Sequence, residues 1–191
     1  MPLIECTLIE GYDADTRRLV SERITDAACS AIGASPDFVI VTIKEVAPEN
    51  YMRGRSQKTP APAALQPDEI VKKFLTSMQD QQLDDAQKWL ADGAQMIFPN
   101  GQCFTDLSDL MAWTKTRYQS VLKTFERIET TFKSQDASVY CYGTLQGVSL
   151  DGRPFENIRF IDRFAISNGK ITQQEVWNDL AQAEVVKNEI I

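Results

Sequence analysis

The chain has 191 residues, room for one large domain or two modest ones. Its 43% apolar and 25% charged residues are ordinary globular composition, and a net charge of −7 argues against a nucleic-acid partner, whose phosphates need clustered Lys and Arg. There is no histidine, which removes Ser-His-Asp and Cys-His nucleophile pairs and most zinc sites. Chemistry therefore falls to carboxylates, Tyr, Lys, Cys, Arg or a chain terminus, and neither a metal nor another cofactor is expected.

No apolar run approaches the roughly 20 residues that cross a bilayer, so no membrane partner is expected. The opening Met1-Pro2-Leu3-Ile4-Glu5 has no basic start and no long apolar stretch, unlike a secretory signal, and a cytoplasmic protein is the expectation. Cys6, Cys29, Cys103 and Cys141 lie far apart without CxxC spacing, which points to free thiols rather than disulfides.

In chain order, Leu3 to Ile9 is a β-rich run closed by a turn at Gly11-Tyr12-Asp13. Val20, Ile24, Ala27, Ala28 and Ala31 then recur at helical spacing, with Asp13 or Asp15 at the start and Gly33 at the end. Phe38 to Val46 is a nearly continuous apolar strand, the pattern of a strand covered on both faces. Strand, helix and strand with short connections predict a βαβ unit over residues 1–55 with parallel strands. Such a unit is too small to cover its own sheet, so a homo-oligomer is expected.

Residues 56–67 are rich in Pro and Ala and read as a linker. A second domain is predicted over 68–191. Asp68 is a plausible N-cap for a helix carrying Ile70, Val71, Phe74, Leu75 and Met78, and Leu83, Ala86 and Leu90 mark a second. Met96-Ile97-Phe98 is a short β segment turned by Asn100-Gly101, and Asp106 caps a third helix running to Tyr118. Strands follow at about 124–134, 138–147, 156–166 and 170–178, with Asn168-Gly169 as a hairpin signal. Helices followed by an antiparallel meander predict an α+β domain with helices on one face of the sheet.

Pro2 is the first candidate for chemistry. An initiator Met is normally trimmed before proline, which leaves a free secondary amine. The α-amino reference pKa is about 7.7–8.0, and desolvation or nearby cations lower it, so in an apolar pocket such an amine can be neutral at pH 7 and carry a proton between carbons. The run Pro2-Leu-Ile-Glu-Cys-Thr-Leu-Ile-Glu-Gly11, the helix, and Phe38-Val-Ile-Val-Thr-Ile-Lys-Glu-Val-Ala-Pro-Glu-Asn-Tyr51 together resemble the 4-oxalocrotonate tautomerase family over residues 2–55. The resemblance implies a βαβ fold, trimeric or hexameric assembly, and Pro2 as general acid or base, with Tyr51 as an aromatic wall. Where that family carries two substrate-binding arginines, this chain has Tyr12 and Ile40. A dicarboxylate loses two bidentate anchors here, and Arg53 and Arg55 are the candidates to replace that charge.

The second domain resembles the SnoaL-like, nuclear transport factor two-like superfamily over residues 68–182, through Arg159-Phe-Ile-Asp-Arg-Phe-Ala-Ile-Ser-Asn-Gly-Lys-Ile171 and Gln173-Gln-Glu-Val-Trp177. That resemblance implies a cone-shaped α+β barrel with a ligand cavity, and dimers. Alternation places Asp162 on one face with Ile158, Phe160 and Phe164, apolar surroundings that raise a carboxyl pKa. Asp162 falls where the related ketosteroid isomerase holds an oxyanion-stabilising Asp, while that enzyme's other two catalytic positions fall at Phe74 and near Phe98. Phe74, Phe98 and Trp177 are the expected apolar contacts for a small-molecule ligand, with Gln173 and Glu175 the polar residues sharing the Trp177 face.

Two functions stand side by side at this point. One is a tautomerase working through Pro2 on a small keto-enol compound. The other is a polyketide-cyclase-like enzyme or small-molecule binder in which the first unit only drives assembly.

Overall fold

A computed structural model describes residues 1–180, so the last part of the expected second domain, residues 181–191, lies outside the described residues. The chain divides into two compact units, residues 1–64 and the part that begins at Leu65.

In the first unit, β1 (Leu3–Ile9) and β2 (Ile40–Val46) pair in parallel, with Leu3 opposite Ile40 and Ile9 opposite Val46. Helix α1 (Ala14–Ile32) connects them. Asp13 caps it, accepting from the Thr16 N–H at 2.7 Å, and Gly33 ends it with φ +68°, a left-handed conformation that suits a residue without Cβ. Ile4, Cys6 and Leu8 alternate with the exposed Leu3, Glu5 and Thr7, so α1 covers a single sheet face. The expectation of a strand covered on both faces is therefore not met within one copy: Phe38 and Ile40 are exposed. Ile9 is the one buried residue of the unit.

Residues 56 and 57, expected in the linker, instead pair with β2's continuation: β3 (Met52–Arg53) and β4 (Ser56–Gln57) form a small hairpin. Pro60 then folds back so closely on Gly11 that a Cβ there would lie 2.7 Å from its ring, and Gly11 has φ +122°. That position requires glycine.

The second unit opens with α2 (Pro67–Gln79). Its cap is Gln66 rather than Asp68, because Pro67 suits the first helical position and the Glu69 carboxylate accepts from the Gln66 N–H at 2.9 Å. Next come α3 (Leu83–Gln87), β5 (Leu90–Phe98), β6 (Gln102–Phe104) and α4 (Leu107–Lys115). Leu90, expected on a helix, opens a nine-residue strand, and Tyr118, also expected on a helix, opens another. Four long strands complete the unit: β7 (Tyr118–Lys133), β8 (Asp136–Ser149), β9 (Pro154–Ser167) and β10 (Lys170–Asn178).

They form one six-stranded sheet in the order β6-β5-β10-β9-β8-β7, antiparallel except for the β5–β10 pair. The β9–β10 hairpin turns at Asn168-Gly169, both at positive φ as its tight turn requires. One sheet face packs on α2 and α4, with Phe74 edge-on to Phe164 at 6.0 Å in the middle of the core. Curvature comes from bulges in β7 beside Phe125 and Tyr118. On β8, opposite Phe125 and Val121, stand Gly143 and Gly147, where a Cβ would lie 1.9 Å from the Thr124 carbonyl oxygen and 2.1 Å from that of Ser120. This is an α+β cone with helices on the concave side of a bent sheet. Among the described residues no helix is long and apolar enough to cross a membrane.

Candidate functional site

Pro2 lies just before β1, half-buried, and its carbonyl accepts from the Ile40 N–H at 3.0 Å, which anchors it at the entry edge of the parallel pair. Tyr51, Arg53 and Arg55 lie elsewhere. They follow β2 at its far end, in the segment that closes through Pro60 onto Gly11. β1 has seven residues, so Pro2 and this segment are separated within one copy by on the order of 20 Å. Tyr51, Arg53 and Arg55 are all exposed, and neither arginine makes an ion pair among the described residues. The Tyr12 carbonyl accepts a hydrogen bond from the Arg17 guanidinium, which also pairs with Glu45 at 3.1 Å and is thereby neutralised. Ile40 is exposed on the bare sheet face.

In the second unit Asp162 stands at the centre of the sheet, on β9, with Cys141 of β8 and Val176 of β10 as strand neighbours. Its side chain is fully buried. Burial pushes its carboxyl up, while the Lys123 ammonium and the buried Gln174 amide pull it back. Lys123, on β7, forms an ion pair with Asp162 Oδ2, and among the described residues Asp162 Oδ1 has no hydrogen-bond partner. Burial, then the charge of Asp162, push the Cys141 thiol up to about 12, so it is inert as a nucleophile near neutral pH.

Lys123 keeps 26% of its side chain in contact with solvent, and its Nζ sits 4.7 Å from the centre of the Phe160 ring. Phe125, two residues on, meets the same ring edge-on at 5.6 Å. The result is a buried carboxylate capped by an ammonium mostly withdrawn from water, with aromatic walls. Chemically it can hold an anion or hydrogen-bond a reacting oxygen, and Asp162 in its neutral form can donate.

The other expected contacts divide. Phe74 is fully buried against Phe164 and belongs to the core. Phe98 is half-buried in an aromatic cluster with Phe104 at 6.1 Å and Trp113 at 5.2 Å. Trp177 is 51% exposed and pairs with Ile161, on the sheet face opposite Asp162, so the structure does not bring it to the Asp162 site. Gln173 and Glu175 share that outer face and hold Arg163 at 3.1 Å and 2.7 Å. The cause is a bulge between Ile171 and Gln173: counting by twos from the buried Ile171 puts Trp177 inside, whereas the extra residue turns Gln174 inward instead. Gln174 and Lys123 are the site residues that strand-by-strand reading misses. A signal for Lys123 existed, a lone charge between Val121 and Phe125 in an alternating run.

Residues 2–59 match the family of tautomerase enzymes. The match begins at Pro2 and ends just beyond the hairpin, spanning the whole βαβ element. The second unit has the fold of NTF2-like and SnoaL-like proteins. An NTF2-like protein from Burkholderia pseudomallei superposes with a TM-score of 0.51 at 15% identity, covering 61% of this chain and 92% of that one. TerC, crystallised with polyporic acid, gives 0.52 at 16%, over 63% of this chain and 97% of its own. A protein described as a SnoaL-like polyketide cyclase from Jannaschia sp. gives 0.50 at 16%, over 66% and 94%. At these identities the likeness is one of fold.

Proposed function

We propose that the chain is a tautomerase in which Pro2, freed by removal of Met1, acts as general acid and base on a small keto-enol compound, while the second unit binds a small-molecule ligand. The observation that carries this reading is the tautomerase match starting at Pro2, together with the half-buried seat of that residue at the head of β1. A partly desolvated ring nitrogen favours its neutral form, which can take a proton from carbon.

The separation of Pro2 from Tyr51, Arg53 and Arg55 makes the site intermolecular. A second copy, set against the bare sheet face that carries Leu3 and Ile40, brings its own aromatic and arginine side chains to the first copy's proline. Trimers or hexamers through the first unit and dimers through the second fit this reading.

The experiment is direct. Mass spectrometry of the purified protein shows Pro2 as the first residue, and Pro2→Ala lowers turnover of phenylenolpyruvate or 2-hydroxymuconate by about 10²- to 10⁴-fold. A retained Met1, or equal rates for the two proteins, overturns the reading. A second reading, a cyclase-like reaction or ligand binding in the second unit alone, is favoured by Asp162, whose unpartnered oxygen and neighbouring ammonium form a polar centre inside an apolar cone. Turnover that survives Pro2→Ala and falls in Asp162→Asn supports that alternative.

A further inference from the structure

We propose that Lys123 is the anion anchor of the second unit, receiving the carboxylate or enolate oxygen of an aryl ligand whose ring lies along Phe125. The proposal deepens the reading of that unit as ligand-binding and stands apart from the chemistry of Pro2.

Three observations converge on Lys123. First, its pairing is unlike that of the other lysines with ion pairs among the described residues of this unit. Lys72 and Lys88 are mostly exposed and bridge to aspartates of their own helical segments, at 2.7 Å and 2.5 Å, as ordinary surface pairs do. Lys123 reaches across the sheet from β7 to β9 and is mostly withdrawn from water, where an arriving charge is felt more strongly.

Second, the pair is a poor stabilising device. Burying a carboxylate is costly, and a pair kept for stability has the carboxylate's oxygens satisfied, yet among the described residues Asp162 Oδ1 has no hydrogen-bond partner, although the Gln174 amide faces the same carboxyl. What the arrangement does accomplish is to hold one ammonium in place before a ligand arrives, which lowers the ordering cost of binding.

Third, the surroundings choose the ligand. Lys123 and Phe125 stand two residues apart on one strand and both contact the Phe160 ring, so a flat apolar group lying along Phe125 has its anionic substituent next to Nζ. The groups facing the pair from the packed elements are the neutral Cys141 thiol of β8 and the Gln174 amide of β10, with the self-paired Asp68 and Lys72 on α2. Asp162 is thus the internal competitor of the incoming anion.

The full chain titrated calorimetrically with 4-bromophenylacetate, against its neutral amide 4-bromophenylacetamide, tests this. The acid binds on the order of tenfold more tightly than the amide, the worth of a charge-assisted contact. Lys123→Met removes the preference and Lys123→Arg keeps it. Asp162→Asn strengthens acid binding, because the competing carboxylate is gone. In soaked crystals the bromine's anomalous signal lies beside Phe125. Equal binding of acid and amide, an unchanged preference in folded Lys123→Met, weaker acid binding in Asp162→Asn, or bromine located away from β7 each overturns the proposal. Should Lys123→Met not fold, the acid–amide comparison in the wild type and in Asp162→Asn decides alone. Tautomerase turnover is read in a separate assay, so loss of either property is distinguishable from loss of the other.

Discussion

The two units solve the same problem, covering a sheet, in opposite ways. The second bends six strands over its own helices and buries Phe74, Phe164, Met96, Ile171 and Val139 completely. The first has a two-stranded parallel sheet, one α-helix and a small hairpin, keeps only Ile9 buried, and leaves Leu3, Phe38 and Ile40 in water. A pair of strands with one helix cannot enclose an interior, whereas a curved sheet of six can. Completeness of the fold goes with completeness of the candidate site. Lys123, Asp162 and Gln174 come together in one copy, while Pro2 and the Tyr51–Arg55 segment do not.

The comparison breaks most sharply at the core of the second unit. Phe74→Ala removes a fully buried ring and lowers that unit's stability by about 3–5 kcal/mol, read as an earlier thermal transition in calorimetry, with the first unit's transition unmoved. A common shift of both transitions would show that the units unfold together and that the contrast between them is false.

A smaller effect is expected on dilution. If the first unit is completed by copies of itself, its melting temperature falls as protein concentration falls, and by more than that of the second unit, whose core is enclosed within one copy. Leu3→Asp on the bare sheet face strengthens the concentration dependence, and analytical ultracentrifugation shows a shift to smaller species. A first unit that melts at the same temperature over a hundredfold dilution refutes the claim that it needs a partner.

The smallest effect concerns pH. Asp162 has its carboxyl raised in the folded state, so the folded protein holds that proton longer than the unfolded chain does. Its contribution to stability is therefore full in acid and is lost as pH rises from the unfolded carboxyl range through the folded value. Asp162→Asn flattens that part of the stability profile, measured by urea unfolding between pH 4 and pH 8 at about one-unit steps. An unaltered profile would mean that the ammonium of Lys123 offsets the burial of Asp162 in full.

Most of the first unit was legible in the sequence because its signals are local. Asp13, Gly33 and the spacing between them mark α1, and the run from Pro2 to Gly11 carries the family resemblance without any need for long-range pairing. The bare sheet face was not legible, since Ile40 and Phe38 look like core residues and no local pattern tells a covered sheet face from a bare one. In the second unit the hairpin at Asn168-Gly169 and the burial of Asp162 followed from turn chemistry and alternation. The face of Trp177 did not, because one inserted residue in β10 reverses the parity of everything after it. Leu90 and Tyr118 were expected on helices because the apolar spacing around each fits a helix as well as a strand, and tertiary pairing with β10 and β8 decides for the strand. Lys123 meets Asp162 only through the register of β7, β8 and β9, a contact 39 positions apart that no local pattern announces.

Gly143 has a role that its lack of a side chain conceals. The carbonyl it makes room for belongs to Thr124, the residue next to Lys123. Any larger residue there has to push β7 outward, and the ammonium travels with the strand while the carboxylate beneath stays where it is. An uncharged position thereby sets the strength of an electrostatic contact, and the bend of the sheet and the polarity of its interior become a single inherited property.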